Sequence, residues 1–134
     1  MVIVILGIVA TVALPRFAAT GDFEVQGTYD RSLAAVRYAQ KMAVASRSAV
    51  RVDFASNGLS VCFDSGGACG AAVIGPGTDA ALVVAGSADI AISGTSFSFD
   101  AQGRPGSGPL TITVAGGGLG RTFVVEAETG HVHP

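Results

Sequence analysis

Residues 33–63 read LAAVRYAQKMAVASRSAVRVDFASNGLSVCF, and the apolar period changes within them. Leu33, Val36, Ala39 and Ala43 recur at helical spacing, which puts them on one stripe and turns Arg37 and Lys41 elsewhere. From Ala49 the period falls to two. Val50, Val52 and Phe54 alternate with Arg51 and Asp53, Asn57-Gly58 supplies a hairpin signal, and Leu59, Val61 and Phe63 answer on the return. An amphipathic helix over 28–48 therefore runs into antiparallel strands from 49 onward. The small residues on the helix stripe allow close approach to a sheet.

Working outward toward the C-terminus, the alternation persists. Residues 64–80 read as loop, Leu82–Val84 and Ile90–Ile92 as short strands, and Phe97 and Phe99 alternate with serines. AQGRPGSGP is a turn rich in Gly and Pro, and Leu110, Ile112 and Val114 form a strand with Thr111 and Thr113 outward. AGGGLG leads into RTFVVEAE, and Thr129-Gly130 turns the chain into a last strand, HVH. Toward the N-terminus, TGDFEVQGT reads as a polar break bracketed by Gly21 and Gly27, preceded by an apolar helix from Met1 to about Ala19 that Pro15 kinks or interrupts. Two helices followed by about six short antiparallel strands make an α+β protein.

Composition agrees and excludes some functions. The 134 residues suit one domain; apolar residues make up 49%, charged residues 13%, and there are 19 glycines, which favours turns between strands over an all-helical chain. A net charge of −2 predicts no nucleic-acid binding from global electrostatics. Charge is uneven, however. Arg31, Arg37, Lys41, Arg47 and Arg51 lie in a stretch without an acid, which reads as a solvated helix face, with a binding patch as its rival.

No phosphate loop, metalloprotease helix, nucleophile elbow or zinc-ligand pattern appears, so no catalytic residue, cofactor or metal is assigned. Gly116–Gly120 joins two strands rather than a strand and a helix, and Arg121 stands where a dinucleotide fingerprint needs glycine. His131 and His133 share one face of a strand and could offer two metal ligands; the blander reading has Val132 in the core and both imidazoles in water. Cys62 and Cys69 flank a loop containing Gly66 and Gly67. In an oxidising compartment they would form a disulfide worth roughly 2–3 kcal/mol, and in a cytosolic protein they would remain free thiols.

The run Val2, Ile3, Val4, Ile5, Leu6, Gly7, Ile8, Val9 continues to Leu14 without a charge, and has no polar face such as a helix on a small soluble domain shows. It is too short for the roughly 20 apolar residues of a membrane span, and it lacks the basic start of a secretory signal. VIVILGIVATVALPRF, with Gly7 and Pro15, closely resembles the N-terminal helix of type IV pilins and type II secretion pseudopilins. That alignment implies about seven further apolar residues and a short basic leader before Met1, and about 21 apolar residues would span a bilayer. Met1 then reads as an internal methionine. Residues 1–19 become a transmembrane and filament-core helix, and residues 20–134 a periplasmic head.

Downstream, RSLAAVRYAQKMAVASRSAVRVDF, FSFDAQGRPGSG and VVEAETGHVHP are similar to minor pilins of the GspH/FimT group, most of all those of MSHA-type pili. The resemblance implies a non-enzymatic subunit held in the bacterial inner membrane. Its partners would be other pilins or pseudopilins, the inner-membrane assembly platform and, for the precursor, the prepilin peptidase that cleaves and methylates. The cleavage-site glycine and the glutamate after it have no counterpart here. One branch of the group binds DNA through a C-terminal Gly-Arg-x-Arg motif. Gly130, His131, Val132 and His133 occupy those positions, and histidine, largely neutral at pH 7, is a poor substitute for a permanent charge on phosphate. DNA uptake would therefore need a patch of Arg37, Lys41 and Arg47.

Overall fold

The computed structural model describes residues 1–134 apart from Ala19 and Ser56; the side chains of residues 14–20 also lie outside the description. Helix α1 spans Val2–Ala18 and α2 spans Thr20–Ser46. Nine strands follow: β1 Val50–Ala55, β2 Gly58–Asp64, β3 Cys69–Ala72, β4 Val83–Ala85, β5 Ile90–Ser93, β6 Phe97–Phe99, β7 Leu110–Gly116, β8 Leu119–Val125 and β9 Val132–His133.

The strands form two antiparallel sheets. One has the order β3-β2-β1-β6, with β4 also pairing to β2; the other has the order β5-β7-β8-β9. Helix α2 packs against both, touching β1, β2, β4 and β6 in the first and β7, β8 and β9 in the second. Its buried stripe is Val25, Tyr29, Ser32, Val36, Ala39 and Ala43. Three of these carry small side chains, which lets the helix axis settle close to the sheets. Phe99, Leu59, Val50, Val52 and Val61 meet the stripe from the first sheet, and Phe123, Ile112, Val114 and Val125 from the second. Ser32 is buried but satisfied, its hydroxyl donating to the Thr28 carbonyl at 2.8 Å.

Four expectations need correction. The polar break TGDFEVQGT is helical, so α2 begins at Thr20 rather than 28. Each interior glycine costs about 1 kcal/mol in a helix, yet Val25 and Tyr29 continue the buried stripe one and two turns ahead of Ser32. Burying them against the second sheet outweighs local propensity. The helix ends at Ser46 rather than 48, because Arg47 takes a left-handed conformation with φ 51°.

The loop 64–80 contains β3, all four residues of which are exposed. A strand with no buried face shows no alternation, and the Cys62–Cys69 disulfide helps to hold it beside β2. At the first hairpin Ala55 pairs with Gly58, so Gly58 begins β2 rather than forming the turn. Glycine is required there for close approach: a Cβ would sit 2.8 Å from the Val84 carbonyl oxygen of β4. Two adjacent glycine pairs have both φ values positive: Gly66-Gly67, at 70° and 92°, in the loop after β2, and Gly117-Gly118, at 58° and 83°, which joins β7 to β8.

Candidate functional site

Most of the exposed large apolar side chains among the described residues lie on helix α1. Val2, Ile3, Val4, Ile5, Leu6, Ile8, Val9 and Val12 are each between 59% and 84% exposed. Because these are nearly consecutive positions, the apolar surface surrounds the helix over residues 2–12, and no face of that stretch rests on the head. Burying such a side chain is worth roughly 1.5–3 kcal/mol, so water leaves on the order of 10 kcal/mol unrealised along α1. Phe23, near the start of α2, is a further exposed apolar side chain at 78%. At 17 residues α1 is shorter than the roughly 20 of a span, and no helix among the described residues is long and apolar enough to cross a membrane.

Arg37 donates from Nε and Nη2 to the Val132 carbonyl at 3.3 and 3.0 Å, which ties α2 to β9. Lys41 lies one turn further along the same side, with Asp30 also lining that surface. Arg47 lies in the turn after the helix. A cleft of about 330 Å³ between α2 and β4 is lined by Ala34, Tyr38, Pro76, Leu82 and Val84, with Arg31 as its charged residue. It brings together no nucleophile and base.

Cys62 and Cys69 are bridged, their Cα atoms 5.6 Å apart. Within the loop they close, Asp64 accepts a 2.8 Å hydrogen bond from the Gly67 N–H. That bond lowers the Asp64 pKa below the ordinary 3.8, helped by the Ser98 hydroxyl and the charge of Arg51 and opposed by desolvation. A carboxylate with a depressed folded pKa stabilises the fold above its unfolded value and loses that contribution as pH falls through the folded one. Acid titration should therefore unfold the wild type more steeply below about pH 3.8 than Asp64→Asn. Chemical denaturation at stepped pH reads the difference, and equal slopes would contradict the assignment.

At the C-terminus the alternation places Val132 inside, 2% exposed, and both histidines outside. The His131 and His133 rings stack with centroids 5.7 Å apart and planes 21° from parallel. His133 Nε2 lies 2.9 Å from Glu126 Oε1, and this hydrogen bond raises the His133 pKa above the ordinary 6.5, with a smaller contribution from the Pro134 carbonyl. Among the described residues, no group of three or more His, Cys, Asp or Glu side chains is already arranged around a metal position.

Two sheets clasping one long helix is an arrangement shared with known proteins. The type II transport protein GspH family matches residues 29–129, three quarters of the chain. The chain belongs to the GspH family. Two crystal forms of the Pseudomonas aeruginosa type IV minor pilin FimU share the fold of this GspH-family chain. The first superposes with a TM-score of 0.65 at 20% identity, covering 84% of this chain and 88% of that one. The second gives 0.61 at 19% identity, covering 81% and 90%. No curated protein matches the sequence. At these identities the likeness is one of fold: the GspH-family head has the α+β fold of that minor pilin.

Sequence reasoning found the α1 surface from its unbroken hydropathy. It missed Phe23, hidden in a segment read as a break, and the tie from Arg37 to Val132, which joins residues 95 positions apart.

Proposed function

We propose that this GspH-family chain is a non-enzymatic minor pilin or pseudopilin subunit that starts or caps a type IV pilus, of the MSHA type, or a type II secretion pseudopilus. The observation that carries this reading is the all-round exposure of α1. Such a helix is stable only where apolar surface covers it on every side, and lipid or a bundle of like helices meets that need. With the additional apolar residues that the pilin resemblance places before Met1, the helix anchors the subunit in the bacterial inner membrane, its head in the periplasm. On extraction it passes into the filament core, where Gly7, Ala10 and Ala13 permit close helix approach. The partners are then other pilins or pseudopilins, the assembly platform and, for the precursor, the prepilin peptidase. Assignment to an MSHA-type filament rests on the similarity of FSFDAQGRPGSG and VVEAETGHVHP to that branch.

The test is deletion of the chain in its own bacterium, followed by counting surface pili and assaying secreted enzymes. Loss of pili with secretion intact supports the MSHA reading, and loss of secretion supports the pseudopilus. Wild-type chain should restore the lost function, whereas Ile5→Glu/Ile8→Glu, which places two carboxylates on the exposed helix without touching the head, should not. Unchanged pili and secretion after deletion would overturn the proposal.

A further inference from the structure

Strand β4 leaves one edge open. The Val61 N–H donates to the Leu82 carbonyl at 3.0 Å and the Gly86 N–H to the Asn57 carbonyl at 2.8 Å, and between these bonds Val84 stands opposite Leu59. Hydrogen bonding alternates along an antiparallel pair, so the N–H and C=O of Val84 turn to β2 while those of Val83 and Ala85 turn away from it. Among the described residues, no backbone group from elsewhere bonds to Val83 or Ala85. The outer edge of β6, by contrast, is closed: the Gly106 N–H donates to the Ser98 carbonyl at 3.2 Å, and Pro105 bridges to Phe99. LVVAG, residues 82–86, carries neither the charge nor the proline that usually blunts such an edge.

The open edge borders a groove. The cleft of about 330 Å³ beside α2 touches Val83, Val84 and Ala85 in succession. Their side chains alternate between faces, Val84 buried and its neighbours exposed, so a hollow that meets all three runs along the strand edge. Its opposite wall is α2 from Arg31 to Tyr38, where the small Ala34 and Ala35 leave room for a guest side chain. That wall is about 10 Å long at a rise of roughly 1.5 Å per residue, the length of about three extended residues. Ala34, Tyr38 and Pro76 also line a second hollow, which carries the groove on past Arg37 and Lys41. Three cations and one acid, Asp30, line the two together, on a chain whose net charge is −2.

We propose that the groove between β4 and α2 binds an extended, acidic segment of another protein chain, which adds a strand to β4. The guest's backbone pairs with the N–H and C=O groups of Val83 and Ala85. One apolar side chain of the guest rests on Ala34, Ala35 and Leu82, and its carboxylates meet Arg31, Arg37 and Lys41. Backbone pairing supplies the affinity, and the pocket and the charge supply the choice of sequence. This inference uses only the head and stands whether or not the chain enters a filament.

The probe is a fluorescent heptapeptide alternating valine and glutamate, titrated with the full chain in detergent and read by polarisation. Saturable binding at micromolar affinity is expected. The same peptide with lysine in place of glutamate should bind at least about tenfold more weakly. So should a version N-methylated at every amide, which keeps the side chains and loses the ladder. Arg31→Glu, at an exposed position, should weaken the glutamate peptide by about tenfold. Val83→Pro removes an N–H that the β2 ladder does not use, and should abolish binding while circular dichroism shows the head folded. Hydrogen exchange on the wild type gives a readout free of any variant: the Val83 and Ala85 amides should slow when the peptide is bound. Absence of binding, equal affinity for the glutamate and lysine peptides, undiminished binding of the N-methylated one, or unprotected Val83 and Ala85 amides would each overturn the proposal. Self-association of the chain that Val83→Pro abolishes would put a second copy in the groove, and would overturn the assignment to an acidic partner.

Discussion

Replacing Phe123 with alanine should destabilise the head by about 3–5 kcal/mol, the usual cost of emptying a buried phenylalanine site. Phe123 is fully buried on β8, pairs across the ladder with Ile112, and meets the Tyr29 ring edge-on with centroids 5.7 Å apart. Tyr29 is the point where α2 crosses the second sheet, so the lost ring leaves its cavity at the helix–sheet contact. There collapse would have to move a whole helix, and Tyr29 also forfeits an edge-to-face contact worth about 1 kcal/mol. Against a total stability of about 5–15 kcal/mol, the loss takes a large fraction. It should lower the melting temperature by roughly 10–20 °C for a chain of this size. Val83→Ala, at a position 58% exposed on β4, should change stability by less than about 0.5 kcal/mol in the same assay. Similar losses for both variants would mean that α2 does not rest on the second sheet as described.

Gly130→Ala should cost about 2–4 kcal/mol, although it adds one methyl group. Gly130 has φ 66°, and a side chain held there is penalised by roughly 1–2 kcal/mol. Its Cβ would also collide with the Gly103 carbonyl oxygen and come within 2.7 Å of Gln40 Nε2. Neither neighbour can retreat freely. Gln40 Nε2 donates to the Gly103 and Thr129 carbonyls at 3.0 and 3.1 Å, and the Gly130 N–H is engaged by the Glu126 carbonyl at 2.8 Å. Relieving the overlap therefore costs a further 1–3 kcal/mol, as overpacking does. Denaturant unfolding measures the total. Hydrogen exchange should locate it, with amides of β9 and the end of β8 exchanging faster while those of β1 and β2 keep their protection. A cost below about 1 kcal/mol would show that the C-terminal segment is not seated against α2 and the Gly103 turn.

These two sites differ in how far the sequence discloses them. The alternation of RTFVVEAE marks Phe123 as inward-facing, because period two is imposed by the pleat and needs no partner to be recognised. Gly130 looks like any turn glycine in Thr-Gly-His, since nothing local records that Gly103 and Gln40 converge on it. The same distinction separates β1 and β2, whose buried faces alternate, from β3, which buries nothing and leaves no periodic trace. The start of α2 belongs with Gly130. Gly21 and Gly27 argue locally for a break, and only burial of Val25 and Tyr29 under the second sheet argues for a helix.

The same holds for the candidate surfaces. The apolar run of α1 is legible because hydropathy is additive along the chain, and its exposure follows once the head has no room for a helix without a polar face. Arg37 reads as a free cation in the sequence, and tertiary structure turns it into a tie across 95 residues. The histidines announce a shared face by their spacing, whereas the carboxylate that orients His133 is identified only by the β8–β9 register.

By itself, then, the sequence determined the α+β class, the change from helix to strands near residue 49, the inward positions of most strands and the apolar character of α1. All of these depend on periodicity or hydropathy within a few residues. Only the tertiary structure decided where α2 begins, which glycines must remain glycines, how the strands divide between two sheets and which polar groups meet at the C-terminus. Each of those rests on contacts between distant residues, whose burial energy exceeds the local propensities that a single stretch of sequence displays.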